Sequence, residues 1–212
     1  MKKDQKYKKE RKEVARFMRR LYRLGLTTTS GGNISLRVSD EMIVITPSAT
    51  DKGRMKWKEI GVMSILGENL TPQLKPSIEF ALHLNIYKKR KDVGAIVHAH
   101  PVFASSFTAM KCEINTSLTA EARAICGTPR FIPYALMGSA ELADIVSENS
   151  ADADILLLEN HGILTTGPDL LKAFDKLEVL ENAAKMTLIV EMKGRKSMLS
   201  PARLREIDRL FR

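Results

Sequence analysis

The sequence predicts an α/β fold of three layers, an α/β/α sandwich in which helices cover both faces of a central mixed sheet that is mostly antiparallel. Short apolar or β-branched segments alternate with amphipathic helical segments along most of the chain, which is typical of layered α/β domains. Two early strands are separated by only a short polar turn, so we expect them to be antiparallel neighbours. The length of 212 residues suits a single domain spanning residues 1–212.

The first predicted element is an amphipathic helix close to the N-terminus. Its apolar residues recur at helical spacing and form one buried stripe, whereas the opposite face carries lysine and arginine. The stripe consists of Val14, Phe17, Met18, Leu21 and Tyr22. Gly25 follows the stripe and is expected to end the helix, because glycine readily adopts the left-handed conformation of a C-terminal cap.

Six short segments are predicted to be strands, because they are rich in β-branched or purely apolar residues and are bounded by polar turns. They cover residues 33–38, 42–46, 62–66, 94–98, 155–158 and 163–166. The first two form the early hairpin, and the last two flank a short polar turn. These segments supply the predicted sheet.

Five further helices are predicted, four of them from their start signals. Proline is favoured in the first turn of a helix, so Pro76, Pro168 and Pro201 mark three starts, and Ser139 is a side-chain cap for a fourth. The predicted helices cover about 76–89, 103–110, 139–149, 168–192 and a short stretch from 201. Residues 111–134 mix short apolar pieces with glycine and proline, and they show no single pattern.

Composition and charge exclude several classes of protein. Hydrophobic residues make up 44% of the chain and charged residues 28%, which argues against disorder, and two cysteines cannot build a disulfide scaffold but do suit a reducing compartment. The net charge of +9 lies at the ends, because residues 1–23 carry +8, residues 193–212 carry +5 and the rest carries −4. We therefore expect no nucleic-acid partner.

No apolar run reaches membrane-spanning length and no leader follows Met1, so we expect a cytoplasmic protein without a membrane partner.

Three of the four histidines form a candidate metal site. His98 and His100 end a predicted strand as His-x-His, and both imidazoles point to one side because strand side chains alternate. His161 follows another apolar strand, and Glu79 lies on the helix predicted from residue 76. Three neutral imidazoles with an optional carboxylate suit a catalytic Zn²⁺ that keeps one open position. The alternative is a set of histidines in the core whose ring nitrogens form hydrogen bonds with the backbone and bind no metal.

The fourth histidine, His83, lies four residues after Glu79. Residues at that spacing share one face of a helix. Two interpretations follow. Either His83 helps to orient Glu79 without binding the metal itself, or the two residues form a surface pair unrelated to the histidine cluster.

Three turns at residues 30–33, 46–48 and 76–77 are rich in hydroxyl and backbone N–H groups. Each turn adjoins a predicted strand end or helix start, and such groups can form a nest for a phosphate without a lysine. Each is an ordinary turn by itself. Their occurrence together with the histidines favours an anionic substrate that is bound without a lysine patch.

Five segments that carry these features follow one another in a specific order. They are S-G-G-N-I-S at 30–35, I-T-P-S-A-T at 45–50, K-P-S-I-E-x-x-x-H-x-x-I-Y at 75–87, D-V-G-A-I-V-H-A-H-P at 92–101 and E-N-H-G at 159–162. Together they resemble the class II aldolase/adducin family over roughly residues 10–190. The resemblance implies a three-layer α/β/α domain, one Zn²⁺ per subunit, a phosphorylated sugar as substrate and assembly as a homotetramer.

The resemblance also implies roles for individual residues. The implied zinc ligands are His98, His100 and His161. Glu79 resembles the family's acid/base residue, which can also coordinate the metal. The implied phosphate contacts are Gly32, Asn33, Ser48, Ala49 and Ser77. Glu121 lies in a segment similar to one in prokaryotic relatives, and it is an accessory candidate together with His83.

The activity implied by the resemblance is that of a zinc-dependent sugar-phosphate aldolase, because Glu79 stands where pentulose-phosphate epimerases usually carry aspartate. The reaction is the reversible cleavage of a ketose 1-phosphate, similar to L-fuculose 1-phosphate, into dihydroxyacetone phosphate and a small aldehyde. The alternatives on this scaffold are a zinc-dependent methylthioribulose-1-phosphate dehydratase and a pentulose-phosphate 4-epimerase. The alternative of another class is a non-catalytic, adducin-like binding module.

The sequence departs from the aldolase pattern at two places. Ile78 replaces a second serine, and no tyrosine follows Tyr134. The resemblance therefore does not identify the aldehyde that the reaction would release.

Overall fold

The computed structural model describes residues 6–194 and 196–211, and these residues form seven strands and seven helices. The strands are β1 (Asn33–Ser39), β2 (Met42–Ile45), β3 (Gly61–Ser64), β4 (Ala95–Ala99), β5 (Arg130–Ile132), β6 (Ile155–Leu158) and β7 (Gly162–Gly167). The helices are α1 (Lys8–Arg23), α2 (Phe80–Lys89), α3 (Val102–Met110), α4 (Ala120–Cys126), α5 (Ala140–Asn149), α6 (Leu170–Lys193) and α7 (Pro201–Phe211).

All seven strands belong to one sheet in the order β3-β2-β1-β4-β7-β6-β5. Every neighbouring pair is antiparallel except β5 and β6, which run parallel. The predicted mixed and mostly antiparallel sheet is confirmed, and so is the early hairpin of β1 and β2. The centre of the sheet is the triplet β1-β4-β7, on which the histidine site is built.

Helices cover both faces of the sheet, which confirms the three layers. One apolar core contains residues from α1, α3, α4 and α6, and the other contains residues from α2 and α5. Successive side chains of β4 point to opposite faces of the sheet, so Val97 and Ala99 belong to the first core and Ile96 to the second. His98 therefore points to the face that α2 covers. Among the described residues, no helix combines the length and apolar character that crossing a bilayer requires.

The helix predicted from Pro76 begins only at Phe80, so that part of the prediction is wrong. Residue Pro76 instead forms an isolated bridge with Pro47. The Ser77 hydroxyl then accepts a hydrogen bond from the Glu79 backbone N–H at 3.3 Å. These local contacts compete with the first helical turn. Glu79 consequently occupies the N-cap position of α2, with φ −99° and ψ 15°, rather than a position inside the helix.

Two other parts of the chain differ from the sequence prediction. Helix α6 begins at Leu170 because the Asp169 side chain caps it by accepting a hydrogen bond from the Lys172 backbone N–H. The region without an assigned pattern contains α4 and β5. Both are short, and β5 is stabilised by its pairing with β6, so their local sequence carries little periodic signal.

Candidate metal centre

Three histidines meet where β4 ends and β7 begins. His98 lies in β4, His100 directly follows that strand, and His161 lies in the turn before β7. The antiparallel pairing of β4 with β7 sets Ala99 opposite Ile163, so the turn carrying His161 lies beside the end of β4. One nitrogen from each ring lies within 4.8 Å of the other two. The sheet register thus brings together all three predicted ligands.

The tautomer of His98 is fixed by the neighbouring strand. Its Nδ1 donates a hydrogen bond to the Ile163 carbonyl at 2.9 Å, which leaves the lone pair of Nε2 free. That Nε2 lies 3.2 Å from Nε2 of His100. A backbone contact to the far nitrogen is the usual way in which a protein orients a metal-ligating imidazole.

Glu79 faces the same cluster from the start of α2. Its Oε2 lies 3.4 Å from Nε2 of His98, and its Oε1 lies 3.2 Å from Nε2 of His161. Only 5% of the Glu79 side chain is exposed. Burial lowers the pKa of each of the three imidazoles below its usual value, and for His98 the charges of His100 and His161 lower the pKa further. The imidazoles are therefore neutral, and their contacts with Glu79 are not ion pairs.

Several polar atoms of this cluster are buried and have no hydrogen-bond partner among the described residues. They are Oε1 of Glu79 and both ring nitrogens of His161. Buried polar atoms without partners are costly unless a ligand satisfies them. Three neutral imidazoles and one carboxylate oxygen form a donor set that fits a divalent transition metal such as Zn²⁺. The residues present therefore fit a metal ion, and the donor set alone does not single out zinc.

Two glycines permit the close packing around the imidazoles. A Cβ atom at Gly162 would lie 2.5 Å from Cδ2 of His100 and 2.6 Å from the Ala99 carbonyl oxygen. At Gly32, the φ of +66° favours glycine, and a Cβ atom there would lie 2.8 Å from the His98 carbonyl oxygen. Larger residues at these two positions would push the metal-binding strands apart.

A buried chain of hydrogen bonds lies behind Glu79. The Asn33 side-chain amide donates to Oε2 of Glu79 at 2.8 Å, and Nε2 of His83 contacts Oδ1 of Asn33. The Ser35 hydroxyl contacts Nδ1 of His83 at 2.7 Å and the Tyr87 hydroxyl at 2.8 Å. Register explains the placement, because Asn33 pairs with His98 across β1 and β4. Asn33 and Ser35 then share one face of β1.

The donor and the acceptor of each hydrogen bond in this series can be assigned from the atoms that can only accept. Oδ1 of Asn33 can only accept, so Nε2 of His83 carries the hydrogen and Nδ1 accepts from Ser35, which in turn accepts from Tyr87. Burial, followed by the charge of His98, lowers the pKa of His83 to about 3, and burial raises the pKa of Tyr87 above its usual value. Both groups are therefore neutral. His83 is fully buried, which rules out the surface-pair interpretation.

The three polar turns meet beside the histidines. The backbone N–H of Ser48 donates to the Lys75 carbonyl at 3.0 Å, which joins the second turn to the third. The backbone N–H of Lys52 donates to the Thr29 carbonyl at 2.9 Å, which holds the segment after the second turn against the residue that precedes the first turn. A Cβ atom at Gly31 would lie 3.0 Å from Nδ1 of His100, so the first turn borders the metal cluster.

Glu121 is not brought to this cluster within one chain. It is exposed in the first turn of α4, and α4 packs on the face of the sheet opposite to α2 and Glu79. Sequence analysis, in turn, missed Ser35 and Tyr87 as members of the site. Strand alternation from Asn33 to Ser35 and the four-residue step from His83 to Tyr87 are the signals that could have found them.

Comparison with known proteins places the chain in a family. The model of the class II aldolase and adducin N-terminal domain matches residues 12–188. The chain therefore belongs to the class II aldolase and adducin family, as its motifs predict.

Individual relatives of similar identity carry the names of different activities. An L-fuculose phosphate aldolase from Methanocaldococcus jannaschii is 34% identical over 180 residues, which cover 85% of this chain and 96% of the relative. A 3-oxo-tetronate 4-phosphate decarboxylase from Haemophilus influenzae is 35% identical over 185 residues, which cover 84% of this chain and 85% of the relative. A solved L-fuculose 1-phosphate aldolase superposes with a TM-score of 0.88 at 30% identity and covers 96% of each chain. The family and its aldolase members support a lyase, and the three-histidine cluster supports metal binding.

Proposed function

We propose that this protein is a zinc-dependent aldolase that reversibly cleaves a ketose 1-phosphate into dihydroxyacetone phosphate and a small aldehyde. The observation that carries the proposal is a cluster of three imidazoles whose ligating nitrogens lie within 4.8 Å of one another. Beside it, Oε1 of Glu79 and both ring nitrogens of His161 are buried and have no hydrogen-bond partner among the described residues. The similarity to two L-fuculose phosphate aldolases supports the same class of substrate.

The three histidines would hold the metal, and the carboxylate of Glu79 beside them would be an optional further ligand. A divalent cation held there would supply a Lewis acid for the negative charge that develops beside the substrate ketone when the carbon–carbon bond breaks. Neutral ligands suit this task because they leave the positive charge of the ion undiminished. Burial keeps His98, His100 and His161 neutral by lowering their pKa values.

Glu79 is proposed to move the proton. Its Oε2 is held by the Asn33 amide, whereas its Oε1 has no hydrogen-bond partner among the described residues. Cleavage moves one proton from the hydroxyl of the carbon that becomes the aldehyde to the carbon that retains the bonding electron pair. Oε1 delivers the proton to that second carbon, and in the condensation direction it removes it. A carboxylate with one fixed and one free oxygen suits such a transfer.

The phosphate is proposed to lie at the junction of the three turns. Backbone N–H groups and side chains of Gly32, Asn33, Ser48, Ala49 and Ser77 would contact its oxygens, as the resemblance implies. Binding there holds the reacting carbons beside Glu79 and the metal ligands. The linked turns support this placement, because the second and third turns are bridged to each other and the first turn borders the histidine cluster.

His83 is proposed to act as a positioning residue rather than a catalytic one. It donates to Asn33, which holds Oε2 of Glu79. Ser35 and Tyr87 complete the chain and fix the tautomer of His83. The effect of this chain is to keep the carboxylate in one orientation while its other oxygen exchanges a proton.

A second candidate activity is the decarboxylation of a phosphorylated 3-oxo acid. The Haemophilus influenzae relative is a 3-oxo-tetronate 4-phosphate decarboxylase of comparable identity. Loss of carbon dioxide from a 3-oxo acid also leaves an electron pair beside a ketone, so the same donor set suits both reactions.

The oligomeric state is proposed to be a homotetramer, as the resemblance implies. Tyr134, Leu136 and Met137 form an exposed apolar segment of 58%, 65% and 51% exposure. The segment adjoins the site, because the backbone N–H of Tyr134 donates to Glu159, two residues before His161. Exposed apolar patches of this kind mark contact surfaces.

The test of the activity is a substrate screen with the zinc-loaded protein. Ketose 1-phosphates that include L-fuculose 1-phosphate are incubated with it, and dihydroxyacetone phosphate is measured by a coupled NADH assay. We expect triose phosphate release that a chelator abolishes and added zinc restores. Release of carbon dioxide from 3-oxo-tetronate 4-phosphate without triose phosphate from any ketose would favour the decarboxylase. Absence of both products would contradict the metal-enzyme proposal.

A further inference from the structure

Lys52 is a buried lysine four residues after the second polar turn. Only 1% of the residue is exposed. Its Nζ donates to the Pro47 carbonyl at 2.7 Å and lies 3.5 Å from Oγ1 of Thr50. Both of these acceptors are uncharged. Lysine is almost never fully buried unless a counter-charge accompanies it.

No carboxylate within the described part of the chain forms an ion pair with Lys52. Its neighbour Asp51 instead accepts from the backbone N–H of Gly53 and lies 3.9 Å from Arg54. Burial alone lowers the pKa of Lys52 to about 8. The ammonium is therefore still charged at pH 7, and no carboxylate among the described residues pairs with it.

The location of this charge is informative. The backbone N–H of Lys52 donates to Thr29, which directly precedes the first turn, while Nζ donates to Pro47 in the second turn. Pro47 in turn bridges to Pro76 in the third. Lys52 thus lies at the junction of the three turns that are proposed to bind phosphate. Retaining an unpaired cation there is costly unless a bound anion offsets its burial.

We propose that the ammonium of Lys52 is the positive charge that selects a phosphorylated substrate at this junction. The inference rests on the proposed function, because it assumes that the anion of the substrate occupies the three turns. It differs from the expectation that phosphate is bound without lysine, and the sequence gives no motif that would have singled out Lys52.

The test compares two probes that differ by a phosphate, 2-phosphoglycolate and glycolate, by calorimetry on the zinc-loaded protein at pH 7. For Lys52→Met we expect 2-phosphoglycolate to bind at least about tenfold more weakly than to the original protein, because one buried charge close to the phosphate is lost. Glycolate binding should change less than about twofold. The matched control is Arg54→Met, which removes a charge of the same sign from an exposed side chain of the same segment and should leave both affinities unchanged.

A second variant separates charge from hydrogen bonding. Lys52→Gln keeps an N–H donor for the Pro47 carbonyl but carries no charge, so we expect it to bind 2-phosphoglycolate as weakly as Lys52→Met. Recovery of affinity in Lys52→Gln would overturn the proposal, since Lys52 would then serve only to hold the turn. Urea unfolding without ligand provides a further readout, and both variants should be at least as stable as the original protein, because a buried unpaired charge has been removed.

The outcomes also separate this inference from the proposed function. Tight binding of 2-phosphoglycolate by the original protein and equally tight binding by Lys52→Met would overturn the role of Lys52 and leave the phosphate site intact. Equal affinity of the original protein for 2-phosphoglycolate and glycolate would overturn both, because no phosphate site would then exist at the turns.

Discussion

The two sides of the Glu79 carboxylate are built in opposite ways. On the side of Oε2, Asn33, His83, Ser35 and Tyr87 form a buried chain in which each member has a hydrogen-bond partner. On the side of Oε1, that oxygen and both ring nitrogens of His161 lack hydrogen-bond partners among the described residues.

This contrast indicates which side holds the group and which side receives a ligand. A satisfied buried network makes a single arrangement more stable than its alternatives, whereas an unsatisfied one stores a free-energy cost that a ligand can offset. Buried His83 and partly buried His161 therefore have different roles although their residue type is the same. The predictions below alter one side at a time.

The largest effect on turnover is expected from Glu79→Gln. The change keeps the size of the side chain and removes the proton-transferring oxygen on the open side, so turnover should fall about a hundred- to ten-thousandfold. Zinc content should remain that of the original protein, because the three histidines are unchanged. Steady-state kinetics and elemental analysis on the same sample measure both, and near-normal turnover would remove Glu79 from the mechanism.

A smaller effect is expected from His83→Leu on the closed side. The variant leaves Oδ1 of Asn33 without its donor and Ser35 without its acceptor, at a cost of about 1–3 kcal/mol in the free energy of unfolding. We expect kcat to fall about tenfold as the carboxylate loses its fixed orientation, while KM and zinc content stay unchanged. His83→Gln keeps an N–H donor for Asn33 and should recover most of kcat. Equal losses of kcat in both variants would indicate that His83 acts by another route.

The smallest effect is expected from Tyr87→Phe at the far end of the chain. Removal of this hydroxyl eliminates one hydrogen bond to Ser35 and should lower the free energy of unfolding by about 0.5–1.5 kcal/mol. Because Ser35 can still donate to His83, kcat should fall no more than a few-fold. A loss as large as that of His83→Leu would show that the chain transmits its effect undiminished over its full length.

The sequence predicted the parts of this site that depend on local periodicity and motif. His98 and His100 were expected on one side of a strand, and the structure shows their Nε2 atoms 3.2 Å apart. The joining of His161 to them depends on the pairing of β4 with β7. The sequence predicts only that the ends of neighbouring strands converge. It does not predict which residues of β4 and β7 lie opposite each other.

The remaining features depend on tertiary contacts that local pattern does not encode. Glu79 lies at the N-cap of α2 rather than within it, because Pro76 bridges to Pro47 and Ser77 accepts from the Glu79 backbone. The burial of Lys52 is likewise produced by the meeting of separate turns. From sequence alone, a lysine in a polar segment is predicted to be exposed. Only the contacts between the turns show that Lys52 is buried.

The most direct test of the central claim is the metal content of three purified proteins after equilibration with zinc and removal of the excess. We expect about one zinc per chain in the original protein and in His83→Leu, because the closed side of Glu79 holds no ligand. We expect almost none in the triple variant His98→Ala, His100→Ala and His161→Ala. Stoichiometric zinc in the triple variant, or its absence from the original protein, would contradict the assignment of the open side as the metal site.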